Sequence, residues 1–252
     1  MPKIRVYLGG PVAPICTINK TKSSSSCLQL ELVLFLLPSP LESPSCPPQP
    51  MKILIDNRHG IQTKGKRSPD GKLLEYAYTR EIARQVVTEL KNKGYDAELL
   101  VPEEDDIPLS ERVRRTNAHC QAFGKTNVIL ISIHVNAAGA GSKWMYATGR
   151  SCYTCKGQTE SDRLATCLYE AAEQILKNQV IRTDYARDGD PDWEESFYIL
   201  RMSLCPAVLT ENFFMDSANV YYLMSEIGKL ALVNTHIEGV LNYISFTSAI
   251  PQ

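Results

Sequence analysis

Four residues of this chain have the types and settings of a hydrolytic centre. His59, in KILIDNRHG, and His134, in NVILISIHVNA, each sit just past an apolar run that reads as a buried strand. Glu75 opens the helical segment EYAYTREIA between them, and Glu211 follows the apolar run of PAVLTENFF. Strand ends are where α/β folds gather side chains from distant parts of the chain. Two histidines and one carboxylate are also the ligand set of a catalytic zinc that keeps a position for water. A further glutamate is what such a site needs as its general base. None of this is a local HExxH, so the fold itself must bring the four together. Taken singly, each has a plainer reading: a hydrogen-bonded loop histidine, a first-turn helix carboxylate facing solvent, an ordinary strand-end glutamate.

The elements that must position them alternate along the chain from Met51. Ile53 to Ile55 is the core of a strand, and Leu74 to Lys93 reads as a helix with Ala77, Tyr78, Ile82, Val86 and Leu90 on one side and Gly94 as its stop. Asp96 to Val101 is a strand, Pro108 to Phe123 a helix, and Val128 to Ile133 a fully apolar strand. Leu164, Leu168, Ala172, Ile175 and Leu176 mark a long helix behind the capping-type residues Thr159 and Ser161. Ala207 to Leu209 is a further strand, and Leu230 to Leu241 belongs to a terminal helix. This alternation predicts a single α/β domain, with a largely parallel twisted sheet flanked by helices on both faces.

Composition bounds the function. The chain has 252 residues, 44% of them hydrophobic, with a formal net charge of −1. That supports one sizeable core and argues against a nucleic-acid partner, which a basic excess would signal. No apolar run reaches the ~20 residues of a membrane span. The eight cysteines do not form the dense framework of a small secreted domain and read as free thiols. Cys152 and Cys155 form a single CxxC, expected in a surface loop. His119 is expected to be solvated and His236 structural.

Residues 1–50 differ from the rest. They combine the low-complexity TKSSSSC with the Pro/Ser run PSPLESPSCPPQP, and GGPVAP breaks any signal-peptide core after the basic start. The folded domain is expected to start at Met51 and run to about residue 246. Residues 1–50 are then a dispensable leader or an over-long gene model, and 247–252 a tail.

The segments ILIDNRHG, then Glu75, then SIHVNA, then AVLTENFF, in that order, resemble the zinc-dependent N-acetylmuramoyl-L-alanine amidases of the amidase-3 type. The resemblance runs from about Lys52 to Tyr243, and LSERVRRTN resembles the family's Leu-x-x-Arg-x-x-x-x-Asn stretch. It implies that His59, Glu75 and His134 hold one Zn2+ ion and that Glu211 is the catalytic glutamate. It implies peptidoglycan as substrate, and as scissile bond the amide between the lactyl group of N-acetylmuramic acid and L-alanine. The family usually reads Asp-Pro-Gly-His-Gly-Gly where this chain has Asp56-Asn57-Arg58-His59-Gly60-Ile61. The turn before His59 is therefore altered without loss of a ligand.

Arg58 and Asn136, beside the two histidine motifs, are expected to touch substrate. So are Trp193 and Tyr198 of the acidic, aromatic segment 182–201, with Trp144 and Tyr146 on the opposite side. Two other readings stand beside the amidase: a zinc carboxypeptidase of stem peptides, and a non-catalytic wall-binding module. They differ in product, since an amidase releases whole stem peptides. The enzyme is expected to be a monomer acting on the cell wall or in the periplasm, either as a phage lysis enzyme or as a cell-separation enzyme with a misassigned N-terminus.

Overall fold

The computed structural model describes residues 51–63 and 65–249. The leader assigned to residues 1–50 lies outside the described residues. Six strands form one sheet in the order β2-β1-β3-β6-β4-β5. They are β1 (Lys52–Asn57), β2 (Asp96–Leu99), β3 (Val128–Asn136), β4 (Ser151–Thr154), β5 (Trp193–Glu194) and β6 (Ala207–Phe214). β1, β2, β3 and β6 run parallel, while β4 is antiparallel to β6 and carries β5 beside it.

Among the described residues there are seven α-helices: α1 (Glu75–Asn92), α2 (Leu109–Phe123), α3 (Glu160–Ile175), α4 (Tyr185–Asp188), α5 (Tyr198–Met202), α6 (Asn219–Met224) and α7 (Glu226–Ala249). Alternate strand residues serve opposite faces. Ile53, Ile55, Ile129 and Ile131 pack with Ile82 and Val86 of α1, Leu168 of α3 and Val240 of α7. Leu54, Leu130 and Leu209 pack on the other face with Val113 of α2 and Ile199 of α5. Because both faces are covered, the central strands read as unbroken apolar runs. α3 and α7 approach closely at Gly239, where a Cβ would stand 2.9 Å from the Leu168 Cα. α3 starts with a capping box: the Thr159 hydroxyl accepts from the Ser161 N–H at 3.1 Å, and the Asp162 carboxylate accepts from the Thr159 N–H.

Several expectations need correction. β3 continues three residues past Ile133 and β6 continues to Phe214, so His134 and Glu211 lie inside strands. The unbroken apolar runs stop earlier because polar site residues interleave with core residues in these tails: His134 stands beside the buried Val135, and Glu211 and Asn212 precede the buried Phe213. β4, β5, α4, α5 and α6 were not anticipated. The Cys152–Cys155 pair is not in a surface loop: Cys152 is a fully buried β4 residue, and Cys155 directly follows the strand. His119 is half-buried, 2.8 Å from Glu98 and stacked on Phe123. His236 agrees with the expectation of a structural role: it is wholly buried between Thr210 and the Leu232 carbonyl.

Candidate active site

The parallel strands β1, β3 and β6 end along the same edge of the sheet, and the four residues meet there. His59 lies just beyond β1 with φ = 61°, in the left-handed region that a non-glycine residue rarely adopts. Helix α1 holds this backbone in place. The Thr79 hydroxyl donates to the Arg58 carbonyl at 3.2 Å, and the buried Arg80 guanidinium donates to the His59 carbonyl and, at 2.9 Å, to that of Glu103. The next residue must be glycine, since a Cβ on Gly60 would lie 2.1 Å from the Asp106 nitrogen. The other non-glycine residue with positive φ among the described residues is Phe213, at 65°, two positions after Glu211. It accompanies a register shift between β3 and β6, a bulge that re-aims side chains at the strand ends.

His134 is oriented by a buried chain of polar groups. Arg112 of α2 donates to Asp56 and, at 2.9 Å, to the Asn57 carbonyl. The Asp56 Oδ2 accepts from the Ser132 hydroxyl at 2.5 Å, and the same hydroxyl lies 3.0 Å from His134 Nε2. An ionised Asp56 can only accept, so Ser132 spends its proton there and accepts from Nε2–H. Nδ1 is then the unprotonated nitrogen, and it faces two carboxylates. It lies 4.0 Å from Glu75 Oε1 and 3.7 Å from Glu211 Oε1. On the other side of Glu75, Oε2 lies 3.4 Å from His59 Nε2. Glu75 is thus bracketed by the two imidazoles, and its Oε1 also accepts from the Val135 N–H at 3.3 Å.

His59, Glu75 and His134 are buried, at 8%, 2% and 3% exposure. Two imidazoles and a carboxylate so arranged could hold a metal ion. Glu211 differs from them: its Oε2 is shut away from solvent and has no hydrogen-bond partner. Burial first, and then the charge of Glu75, push the Glu211 carboxyl up to about 8. Burial first, and then Arg58 and His59, hold His134 well below the usual histidine range, so its imidazole is neutral. Arg58 is the cation that touches His134. Its Nη1 lies 3.5 Å from both ring nitrogens of His134, against the ring instead of along one N–H bond. Arg58 and His59 also line a pocket of about 370 Å³ with Asp106, Ile107, Pro108, Leu109 and Arg112.

Of the residues expected to touch substrate, Arg58 is brought to the site. Asn136 ends β3 at the same edge, with its Oδ1 accepting from the Ala137 N–H at 2.8 Å. Trp193 and Tyr198 are not brought to it. β4 runs antiparallel to β6, so Ser151 sits opposite Glu211 and Thr154 lies away from that edge. β5 runs parallel to β4, and Trp193, opposite Tyr153, packs on Tyr153 and Arg182. Tyr198 starts α5, beyond β5, with Arg201 over its ring. The loop bearing the exposed Trp144 and Tyr146 is anchored at the active edge instead. The Asp216 carboxylate accepts from the Ala138 and Gly139 N–H groups at 3.1 and 2.8 Å, and its carbonyl accepts from Met145 at 2.6 Å.

The supporting residues Arg80, Arg112, Asn212 and Ser132 were not singled out in the sequence. Asn212 donates to the His134 carbonyl at 2.9 Å and accepts from Arg150 at 3.2 Å, locking β3 to β6 beside the site. The only signals in the sequence were the arginine of LSERVRRTN and the Asp, Ser and Asn embedded in the three strand-end motifs.

Known proteins share this framework. The chain is 28% identical over 171 residues to the sporulation-specific N-acetylmuramoyl-L-alanine amidase of Bacillus subtilis (strain 168), a match covering 67% of this chain and 58% of that protein. It therefore spans little more than half the length of that relative. An N-acetylmuramoyl-L-alanine amidase structure from Clostridium difficile 630 superposes with a TM-score of 0.62 at 24% identity, covering 78% of this chain and 98% of that one. The amidase AmiC2 of Nostoc punctiforme superposes with a TM-score of 0.64 at 22% identity, covering 77% and 97%. At these identities the likeness shows the fold. The family model described as N-acetylmuramoyl-L-alanine amidase, of the amidase-3 type, matches residues 53–242, and the chain belongs to that family.

Proposed function

We propose that this protein is a zinc-dependent N-acetylmuramoyl-L-alanine amidase that hydrolyses the amide joining the muramoyl lactyl group to L-alanine in peptidoglycan. The observation that carries this reading is the meeting of His59, Glu75, His134 and Glu211 at one sheet edge, in a chain of this family. The donor set suits zinc. Ligands about 2.1 Å from a tetrahedral ion lie ~3.4 Å apart. Glu75 reaches His59 through Oε2 at 3.4 Å and His134 through Oε1 at 4.0 Å. The three would draw closer together around an ion, since they do not offer one atom each within 4.8 Å of one another. When bound, zinc supplies Lewis acidity to the amide carbonyl and to the attacking water.

His59 would bind through Nε2 and His134 through Nδ1, the nitrogen that the Ser132 relay leaves unprotonated. Glu211 then acts as the proton carrier. Its unpartnered Oε2 is free to take the proton of water and to return it to the leaving amine of L-alanine. Desolvation strengthens it as a base, because a carboxylate held out of water binds its proton more tightly. Arg58 and the Trp144–Tyr146 loop border the site and would meet the substrate. Among the described residues, no helix is long and apolar enough to cross a membrane. We place the site of action at the cell wall.

Mass spectrometry of purified peptidoglycan digested with the protein tests the reading. Release of intact stem peptides from glycan, lost on chelation and restored by zinc, is the expected outcome. Shortened stems still attached to glycan would show a carboxypeptidase, and an unchanged digest a binding module.

A further inference from the structure

The acidic segment before β5 takes no part in the edge that holds Glu211, yet it converges with α3. Asp162 of α3 joins Asp190 and Asp192 of the loop between α4 and β5, and the three offer ligand oxygens within 4.8 Å of one another. Asp162 and Asp192 are 7% and 1% exposed. Asp192 is held through Oδ2, which accepts from the Thr154 hydroxyl at 2.5 Å, while its Oδ1 is closed off from solvent with no donor. Asp190 Oδ1 is in the same condition, and its Oδ2 receives only a long bond of 3.3 Å from Gln158. Asp162 accepts from the Thr159 N–H through Oδ2. Arg187, the cation beside Asp188, is turned to Glu194 at 3.8 Å.

Buried carboxylates without donors are unstable unless a proton or a cation neutralises them. Burial and the adjacent Asp190 push the Asp192 carboxyl up to about 8, which is the response of such a cluster when no cation is present. The composition of the cluster favours a cation. All its donors are carboxylate oxygens, which select hard ions over zinc. Asp188, Asp190 and Asp192 alternate along the loop, the spacing with which calcium loops present their first ligands. Donors drawn from a helix turn and a loop suit calcium's flexible coordination better than the strict octahedron of magnesium.

We infer that Asp162, Asp190 and Asp192 form a calcium-binding site that ties the loop before β5 to the start of α3. This site is separate from the catalytic edge. Thr154, which holds Asp192, is three positions along β4 from Ser151, the register partner of Glu211, or ~10 Å at strand spacing. The inference does not depend on the amidase reading.

The test uses the full-length protein, stripped with chelator and reloaded with zinc. Calcium chloride is titrated by calorimetry, by thermal denaturation and by fluorescence, since Trp193 adjoins Asp192. We expect a single saturable binding event and a rise of several degrees in the melting midpoint at calcium well above its Kd. Asp192→Asn should abolish both, and Asp190→Asn should weaken binding by roughly tenfold or more, as loss of one charged ligand does. Zinc content should be unchanged in both variants. Should Asp192→Asn fail to fold, the less buried Asp190→Asn variant decides. Absence of saturable calcium binding in the parent, or binding unaltered in Asp190→Asn, overturns the site and leaves the carboxylates sharing a proton.

Discussion

His134 and Glu211 are register partners on neighbouring parallel strands, and the imidazole Nδ1 of one lies 3.7 Å from the carboxylate Oε1 of the other. The proposed metal ligand and the proposed base are thereby placed by a single β-ladder. Their relative position is as rigid as the sheet centre, where β3 is flanked by β1 and β6. Asn212, one residue beyond Glu211, reinforces the pairing by donating to the His134 carbonyl. Pre-organisation of this kind is what a proton transfer in a hydrolytic step requires.

Glu211→Gln removes the proton acceptor and keeps the shape. The expected result is a fall in kcat of roughly 10²–10⁴-fold, the range of a lost general base. Zinc content, measured by atomic absorption, should match the parent. The melting midpoint should not drop, because the carboxyl replaced is a desolvated group with no hydrogen bond at Oε2. Hydrolysis near the parent rate would remove Glu211 from the mechanism.

Ser132→Ala cuts the relay between Asp56 and His134 without touching a ligand. Nε2 loses its acceptor, so the imidazole is free to place its proton on Nδ1, the nitrogen that faces the metal site. Zinc affinity should weaken by about 10–100-fold, as for other groups that orient a ligand histidine. A chelator competition reads this directly. The kcat of the zinc-saturated variant should change far less than its zinc affinity, and equal affinity in the two proteins would show that the relay is only structural.

Much of this was legible before the fold was known, and for a physical reason. Strands buried on both faces write themselves as apolar runs such as Val128 to Ile133, and amphipathic helices such as α1 repeat their apolar residues at helical spacing. The four candidate site residues were legible because they stand in motifs at the ends of those runs. The extent of β3 and β6 was not, because hydropathy marks where the core ends and not where the backbone ladder ends. Arg80 and Arg112 could not be read as buried, since an arginine on a helix looks solvated until its partners, here the His59 carbonyl and Asp56, are known. Trp193 was placed with the site on its chemistry alone, and the reversed direction of β4 carries it away.

His236 contributes to the acid limb of stability. It is neutral in the fold, with Nδ1–H donating to the Leu232 carbonyl at 2.7 Å and Nε2 accepting from Thr210 at 3.0 Å. Burial first, and then Arg150, lower it from 6.5 to about 3. Between these values the unfolded chain binds the proton and the folded chain does not, so stability rises with pH across that window and is lost as pH falls from 6.5 toward 3. His236→Gln should be less stable than the parent at pH 7 by roughly 1–3 kcal/mol, the usual penalty for disturbed buried polar groups. The gap should narrow at pH 4, where only the parent has a histidine to charge. Urea unfolding of both proteins at the two pH values measures it, and a gap independent of pH would count against this assignment.

Arg58 stands where the amidase-3 pattern has glycine, and it places a guanidinium 3.5 Å from both ring nitrogens of His134. A fixed positive charge at that distance opposes a divalent cation bound to the same ring. At an effective dielectric of about 20, two unit charges ~4 Å apart interact by about 4 kcal/mol, and a mobile side chain relieves most of this by swinging away. Arg58→Gly removes the charge and relaxes the turn before His59. Zinc affinity should rise by on the order of tenfold, the factor left when about 1.4 kcal/mol of repulsion persists. The gain should shrink in the presence of bound substrate if Arg58 moves onto an anionic group of the stem peptide, and KM should rise with kcat little changed. Chelator competition on the parent and the variant, followed by steady-state hydrolysis of a defined muropeptide, separates the two effects. Unchanged zinc affinity would mean that Arg58 leaves the metal site without penalty, and its role would then lie with the substrate alone.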